Sequence, residues 1–256
     1  MLLFGRLDFA DCQVTMVHSV ESVLPDGGFP GPESPHVVAQ IIDEMEAAGE
    51  KALQASAASL SNCVVNTRSV MGSPLRNVLD IAKAESADLI VVGTQDRSAF
   101  EKAILGSVTR GLLSSSEHSF MVGKVYGTHE GPVTAVFATD HSDYCDRCAE
   151  LLIGWAPKGI EHLIVVSVFD SADDDQSLDA DTAALVERFK PHFGSVTGMN
   201  RRGNVEAQLH EAVTEANAEV MIIGAQGRGF FDRLRSGSTS YHEVEKEPYS
   251  VIVLRP

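Results

Sequence analysis

The residues best suited to chemistry lie in one stretch near the end of the chain. It runs Gly224-Ala225-Gln226-Gly227-Arg228-Gly229-Phe230-Phe231-Asp232-Arg233-Leu234-Arg235-Ser236-Gly237-Ser238, a G-x2-G-x9-G-[ST] skeleton. Glycines let a backbone approach a phosphate closely. A hydroxyl beside free N–H groups at a helix start binds anions. Arg228, Arg233 and Arg235 bring cations to a chain that is otherwise acidic. The apolar run EVMIIGA ahead of the loop predicts a buried strand, and the residues from about Ser238 predict a helix. The loop therefore leaves the carboxyl end of a strand and meets the amino end of a helix, where open parallel sheets bind ligands. The bland alternative is a surface loop with Ser240-Tyr241-His242-Glu243 as a capping box. The long spacing, the strand–loop–helix setting and a partial repeat elsewhere in the chain favour an anion site.

Other constellations carry less. Cys145-Asp146-Arg147-Cys148 is a CxxC with His141 four residues before it. A zinc site needs about four ligands and a redox CxxC needs a thioredoxin-like setting, so packing on a helix is the expected role. Cys12 and Cys63 read as lone thiols in strand-like contexts. No GxxxxGK[ST], no GxSxG and no Gly-rich turn after an early strand is present, which removes the P-loop, nucleophile-elbow and dinucleotide readings. No His/acid pair stands out as an acid–base couple, and His18 and His210 are expected to be structural or solvent-facing.

The elements that must position the loop recur. At an offset of 131, Gly72, Gly93, Gln95, Arg97, Phe100, Gly106, Ser107 and Val122 fall on Gly203, Gly224, Gln226, Arg228, Phe231, Gly237, Ser238 and Val253. At an offset of 149, Leu2–Ser22 lies on Leu151–Ser171. The difference of 18 residues is taken up by the Pro- and Gly-rich stretch SVLPDGGFPGPESPH and a longer helix after it. The second copy reads as alternating buried strands and amphipathic helices, the pattern of a parallel sheet covered on both faces. Its strands are PVTAVFATD, HLIVVSVFD, VTGMNRR, EVMIIGA and YSVIVLR. Its helices run from about Ser142 to Trp155, over LDADTAALVERFKPHF, from Asn204 to Asn217 and from about Ser238. In the first copy a helix is predicted from about His36 to Leu60, with Val38, Ile41, Ile42 and Met45 at helical spacing. Met1 aligns with Glu150, so nothing in the first copy corresponds to Pro132–Ala149, the opening strand and most of its helix. The expectation is a shortened reading of a longer gene, with Met1 an internal methionine. The fold class is α/β: two flavodoxin-like, Rossmann-like doubly wound units in tandem, residues 1–125 and 132–256, the first without its opening strand.

The G-x2-G-x9-G-[ST] loop, the strand ending Ala138-Thr139-Asp140 with His141-Ser142 after it, VVSVFD, and the turn Gly72-Ser73-Pro74 together resemble the universal stress protein family in tandem form. The resemblance covers nearly the whole chain. It implies ATP binding by the second copy, with a divalent ion, Mg or Mn, able to bridge the phosphates. Adenosine would be held by Asp140, at the end of Ala138-Thr139, and by the backbone of Val168. Ribose and phosphates would be held at Gly224, Gly227, Gly237, Ser238 and Thr239, with Arg228 in the same loop. For Asp140 a second reading stands beside this one, a carboxylate that satisfies free N–H groups at a helix start. In the first copy Asp96 replaces the second glycine, adding a side chain and a charge that repels phosphate. With the opening-strand acid also lacking, that site reads as degenerate. The resemblance further implies an internal pseudo-dimer in which Ser119–Lys124 meets Ser250–Arg255, and it allows a homodimer. The role implied is a stress-response sensor or regulator, at most a slow ATPase, since no residue is placed as a base. The rivals are a scaffold of the same fold that binds no nucleotide and an enzyme acting on an adenylated small molecule.

Composition narrows the partners. Twenty Lys and Arg stand against 36 Asp and Glu, a formal net charge of −16. That opposes nucleic acid and anionic membrane surfaces, which bind through cations. The longest apolar runs, such as Leu89–Val92, are strand-sized, far short of the ~20 residues that span a bilayer. The start carries Asp8 and no small-residue cleavage pattern, so a signal peptide is not expected. Four cysteines in 256 residues do not make a disulfide framework. The expected protein is reduced, soluble and cytoplasmic.

Overall fold

The computed structural model describes residues 2–21, 35–93, 106–124, 131–169, 175–226 and 247–256. The chain forms two compact units, one of residues 1–5 and 11–87, the other of residues 6–10 and 88–256. The boundary falls inside the first helix, α1 (Leu2–Leu7). By the 149-residue offset α1 is the counterpart of the end of the helix Asp143–Trp155.

In the smaller unit β1 (Gln13–Val20) pairs in parallel with β2 (Val64–Met71), from Gln13 opposite Val64 to Val20 opposite Met71. The long helix α2 (Pro35–Ala57) connects them, as parallel neighbours require. Its apolar stripe packs on β1 and β2, and Leu53 with Met16 and Leu60 forms a small core flanked by Phe4, Val14, Ala57 and Val65. A Cβ on Gly49 would collide with the His18 ring, so glycine there lets α2 lie close to β1. Helix α3 (Pro74–Glu85) follows, with Pro at its first position and Ser86 in the left-handed region at its end (φ 51°).

One expectation fails in this unit. Cys12 and Cys63 are not lone thiols; they are joined in a disulfide, with Cα atoms 4.7 Å apart. The cause is the strand register. Cys12 and Cys63 stand just before the paired residues Gln13 and Val64, so pairing the strands brings the two thiols side by side.

The larger unit is built on a seven-stranded sheet. It contains β3 (Leu89–Gly93), α4 (Ser107–Ser115) and β4 (Ser119–Gly123) from the first repeat. From the second come β5 (Val133–Thr139), α5 (Asp143–Trp155), β6 (Ile160–Phe169), α6 (Asp175–Phe189) and β7 (Ser195–Arg202). Helix α7 (Val205–Glu215), β8 (Val220–Gly224) and β9 (Ser250–Leu254) complete it. The strand order is β3-β4-β9-β8-β5-β6-β7. All neighbours are parallel except β4 and β9, the final strands of the two repeats, which meet antiparallel with Phe120 opposite Val253 and Val122 opposite Val251. Strands β8 and β9 are buried along their whole length, which explains their unbroken Val/Ile runs. Phe137, Phe189 and Phe193 stack edge to face in the core, at 5.2 and 5.7 Å between ring centres.

The strand order explains why the first repeat is divided. In the second repeat β5 is the shared neighbour of β6 and β8. Among the described residues of the first repeat no strand stands where β5 stands in the second, and β1 and β3 share no neighbour. Its first two strands form their own pair, and its last two extend the sheet of the second repeat.

Residues 6–10 are fastened to the amino ends of the large sheet. Gly159 and Lys158 N–H groups donate to the carbonyls of Leu7 and Asp8 at 2.9 and 3.1 Å, and Leu7 is fully buried. The Arg6 guanidinium forms a bidentate ion pair with the buried Glu219 carboxylate, both Nη atoms donating, and also donates to Gly131 O at 2.8 Å. No helix among the described residues is long and apolar enough to cross a membrane.

Candidate functional site

The sheet order of the second repeat reverses at β5, with β6 and β7 on one side and β8 and β9 on the other. The crevice at the carboxyl ends of β5 and β8 is thus the switch point at which such sheets bind ligands. Thr139 closes β5, with Ala138 before it and Asp140 after it. Gly224 closes β8. Val168 is the last residue but one of β6. These five residues converge on one end of the sheet. Gly227, Arg228, Gly237, Ser238 and Thr239 lie outside the described residues, as does Asp96 of the first repeat. In the first repeat, Gly106 and Ser107, the counterparts of Gly237 and Ser238, open helix α4 with Gly106 as its N-cap.

The chain turns sharply after β5. His141 is in the left-handed region (φ 54°), and its N–H donates to Thr139 Oγ1 at 3.0 Å. Asp140 Oδ1 accepts from Ser142 N at 3.0 Å, and Ser142 Oγ accepts from Cys145 N at 3.2 Å as the N-cap of α5. Asp140 therefore has a structural task at the helix start, as its second reading holds. On β6, Gly203 N donates to Phe169 O, so the Phe169 backbone faces β7. By strand alternation the backbone of Val168 faces the β5 side, where Asp140 follows the end of that strand.

A polar chain borders the site that residue spacing alone did not reveal. Asn200 Nδ2 donates to Asp179 Oδ1, and Thr182 Oγ1 donates to Asn200 Oδ1 at 2.8 Å. The Thr182 hydroxyl proton is thus committed, so at the 3.1 Å contact His141 Nε2 is the donor to Thr182. The His141 ring stacks near Phe169, 6.5 Å between centres. Burial lowers the His141 pKa, opposed by the charges of Asp181, Asp140 and Asp146. Only tertiary pairing of β5, β6 and β7 gathers these groups.

Gly224 has a packing role that the loop motif did not disclose. A Cβ there would stand 3.0 Å from Cys148 Sγ and 3.1 Å from the Tyr144 ring. Cys145 and Cys148 are buried on the inner face of α5, and burial pushes their thiols up to about 11 and about 12. They pack helix on sheet, as expected of this CxxC, and no cluster of metal-ligating side chains occurs among the described residues. A cleft of about 390 Å³ lined by Arg6, Gly131, Lys158 and Glu161 opens at the opposite, amino end of the strands and is separate from this site.

The profile of the universal stress protein family matches residues 8–124 and again residues 134–255. The chain belongs to the universal stress protein family. A universal stress protein of Mycolicibacterium smegmatis is 22% identical over 267 residues, covering 96% of this chain and 88% of that protein. The crystal structure of a universal stress protein from Archaeoglobus fulgidus has the same fold, with a TM-score of 0.64 at 21% identity over 95% of this chain and 86% of that one. A universal stress protein solved in complex with cAMP corresponds to 49% of this chain and 98% of its own, at 18% identity and a TM-score of 0.38.

Proposed function

We infer that this universal stress protein binds one adenine nucleotide, ATP, in its second repeat and acts as a stress-response sensor or regulator. The observation that carries this reading is the convergence of Asp140, Val168 and Gly224 at the switch point of the sheet, where the G-x2-G-x9-G-[ST] loop begins. The Asp140 carboxylate and the Val168 backbone would hold adenosine. Gly227, Arg228, Gly237, Ser238 and Thr239 would hold ribose and phosphates through backbone N–H groups, hydroxyls and one cation. Mg or Mn would bridge the phosphates. No base is assigned, so hydrolysis is slow if it occurs at all. The tandem domains are assigned to residues 1–125, with a degenerate site, and 132–256. The proposed setting is the cytoplasm, although the Cys12–Cys63 disulfide is unusual for that compartment.

A second reading, a scaffold that binds no nucleotide, is favoured by one pair of observations. The Ser142 N–H explains the Asp140 carboxylate, and Tyr144 with Cys148 explains Gly224, without any ligand. Calorimetric titration with ATP, ADP and AMP, each with and without Mg or Mn, separates the two. One site per chain supports nucleotide binding, and a ligand at 100 times its Kd should add about 2.7 kcal/mol to stability. No heat and no rise in melting temperature with any of them leaves the scaffold.

A further inference from the structure

The four cysteines fall into two unlike pairs. Cys145 and Cys148 are buried under α5. The Cys12–Cys63 bond stands within reach of solvent at the amino ends of β1 and β2, one residue ahead of the first pair, Gln13 opposite Val64. Both of its cysteines are half-buried, and Asp11, Gln13, Asn62 and Val64 beside them are exposed. Accessible disulfides are the reducible ones, whereas bonds enclosed in a core resist reduction. The two sulfurs also differ from each other. Cys63 leans on the core of Met16, Leu53 and Leu60, while Cys12 lies between two exposed residues.

The second repeat shows that the strand register does not depend on this bond. Under the offsets of 149 and 131, Cys12 and Cys63 fall on Glu161 and Gly194, which likewise precede a first pair, His162 opposite Ser195. No sulfur stands at either place, yet β6 and β7 pair as far as Phe169 opposite Arg202, the same length as β1 and β2. A broken Cys12–Cys63 bond therefore leaves a ladder that returns the thiols to each other, and the bond can close again. What the bond adds is a lock. It closes a stretch of 51 residues, α2 included, over the small core of Met16, Leu53 and Leu60.

We propose that Cys12–Cys63 is a reversible redox site, opened by a dithiol and closed by a disulfide oxidant, that locks and unlocks the smaller unit. The attacking thiolate meets the Cys12 sulfur, because the core covers Cys63. The S–S bond breaks, a mixed disulfide forms on Cys12, and its electron pair leaves on Cys63. The freed Cys63 sulfur takes up a proton and has Asn62 Oδ1 at 3.7 Å to accept its S–H. The second thiol of the reductant then displaces Cys12, which is protonated in turn. The protein has gained two electrons and two protons, and the dithiol has become a disulfide. Closing is the reverse, with a small disulfide as the oxidant. In a reducing cytoplasm, the setting proposed above, disulfides are transient and catalytic or redox-sensing. The site stands independently of nucleotide binding.

The test uses the full chain, dithiothreitol as the dithiol and oxidised glutathione as the oxidant. Alkylation under native conditions, read by peptide mass spectrometry, should label Cys12 and Cys63 after reduction and leave Cys145 and Cys148 untouched. Native reduction should run within about tenfold of its rate in denaturant, as access without global unfolding requires. Hydrogen exchange of β1 and β2 should quicken at least about tenfold on reduction, with β6 and β7 unchanged, and oxidised glutathione should restore it. Cys12→Ser/Cys63→Ser should exchange at the fast rate whatever the redox state, and Cys145→Ala/Cys148→Ala should keep the full response. If the serine variant fails to fold, reduction and reoxidation of the parent decide. The proposal is overturned if the bond opens only when the whole chain unfolds. It is also overturned if reduction leaves β1 and β2 exchange unchanged, or if oxidised glutathione fails to re-form the bond.

Discussion

Gly224 and Cys148 meet so closely that a single added carbon would stand 3.0 Å from the sulfur. The contact clamps α5 onto the end of β8. Gly224→Ala should therefore destabilise the protein by about 1–3 kcal/mol, the usual cost of overpacking, with or without nucleotide. Cys148→Ala in the same chain should recover part of the loss by removing the sulfur. Urea denaturation of the parent, both single variants and the double variant checks this. Additive losses would show that the two residues do not compete for space.

Arg6 reaches a carboxylate more than two hundred residues away. Glu219 is 7% exposed, and Arg6 with Gly131 fixes the chain to the amino end of the sheet. Arg6→Ala would leave that buried charge without its partner, at a cost of about 3–5 kcal/mol for a buried pair. Glu219→Gln in the Arg6→Ala background should recover part of it, because the neutral amide needs less compensation. Thermal melting of the variants gives the answer. An Arg6→Ala chain as stable as the parent would mean that solvent replaces the guanidinium.

The Cys12–Cys63 bond spans 51 residues of sequence and closes the smaller unit. Losing it should cost that unit about 2–4 kcal/mol. Thiol titration in denaturant should find two free thiols without reductant and four with it. Cys12→Ser should behave as the reduced chain does. Four thiols without reductant would show that the bond is absent from the protein as purified.

Alkaline pH should loosen the larger unit through the other two cysteines. Folding raises the Cys145 and Cys148 thiols to about 11 and about 12, above the ordinary value of 9.0. Between those values the folded state holds protons that the unfolded state has released, so stability falls as pH rises. The contribution is complete below about pH 9 and is lost on the way to pH 11–12. Melting temperature measured from pH 8 to 11 should drop more steeply for the parent than for Cys145→Ala/Cys148→Ala. Thiol reagents at pH 8 should label neither residue until the protein unfolds.

Within the proposed nucleotide reading, Gly227→Asp copies what Asp96 already does in the first repeat. A side chain and a negative charge where backbone must approach phosphate should weaken ATP binding about tenfold or more, or about 1.4 kcal/mol. Asp96→Gly should add no second site, because the first repeat still has no counterpart of Asp140. Calorimetric titration of the three chains reads both. Two sites in the parent, or equal affinity in Gly227→Asp, would refute the assignment.

Matching residues at offsets of 131 and 149 identified the repeat, and local periodicity was enough for the order of strands and helices and the α/β class. Alternating apolar runs and amphipathic stretches depend on residues a few positions apart. The helices starting near Ser142 and at Asn204 were legible for the same reason, and the structure adds that both residues cap them through their side chains. That Ser119–Lys124 meets Ser250–Arg255 was implied by the family resemblance; the sheet pairs these strands and adds the register, Phe120 opposite Val253. Other features rest on contacts between distant residues. The division of the first repeat between two sheets depends on which strand lies between β6 and β8. The disulfide needed the β1–β2 register to bring Cys12 beside Cys63. The chain from His141 through Thr182 to Asn200 needed three strands in order, and the crowding at Gly224 needed α5 seated on β8. Sequence sets what each segment prefers to be; only the sheet order and register decide which segments touch, because hydrogen bonds, packing and sulfur bridges act over a few ångströms of space.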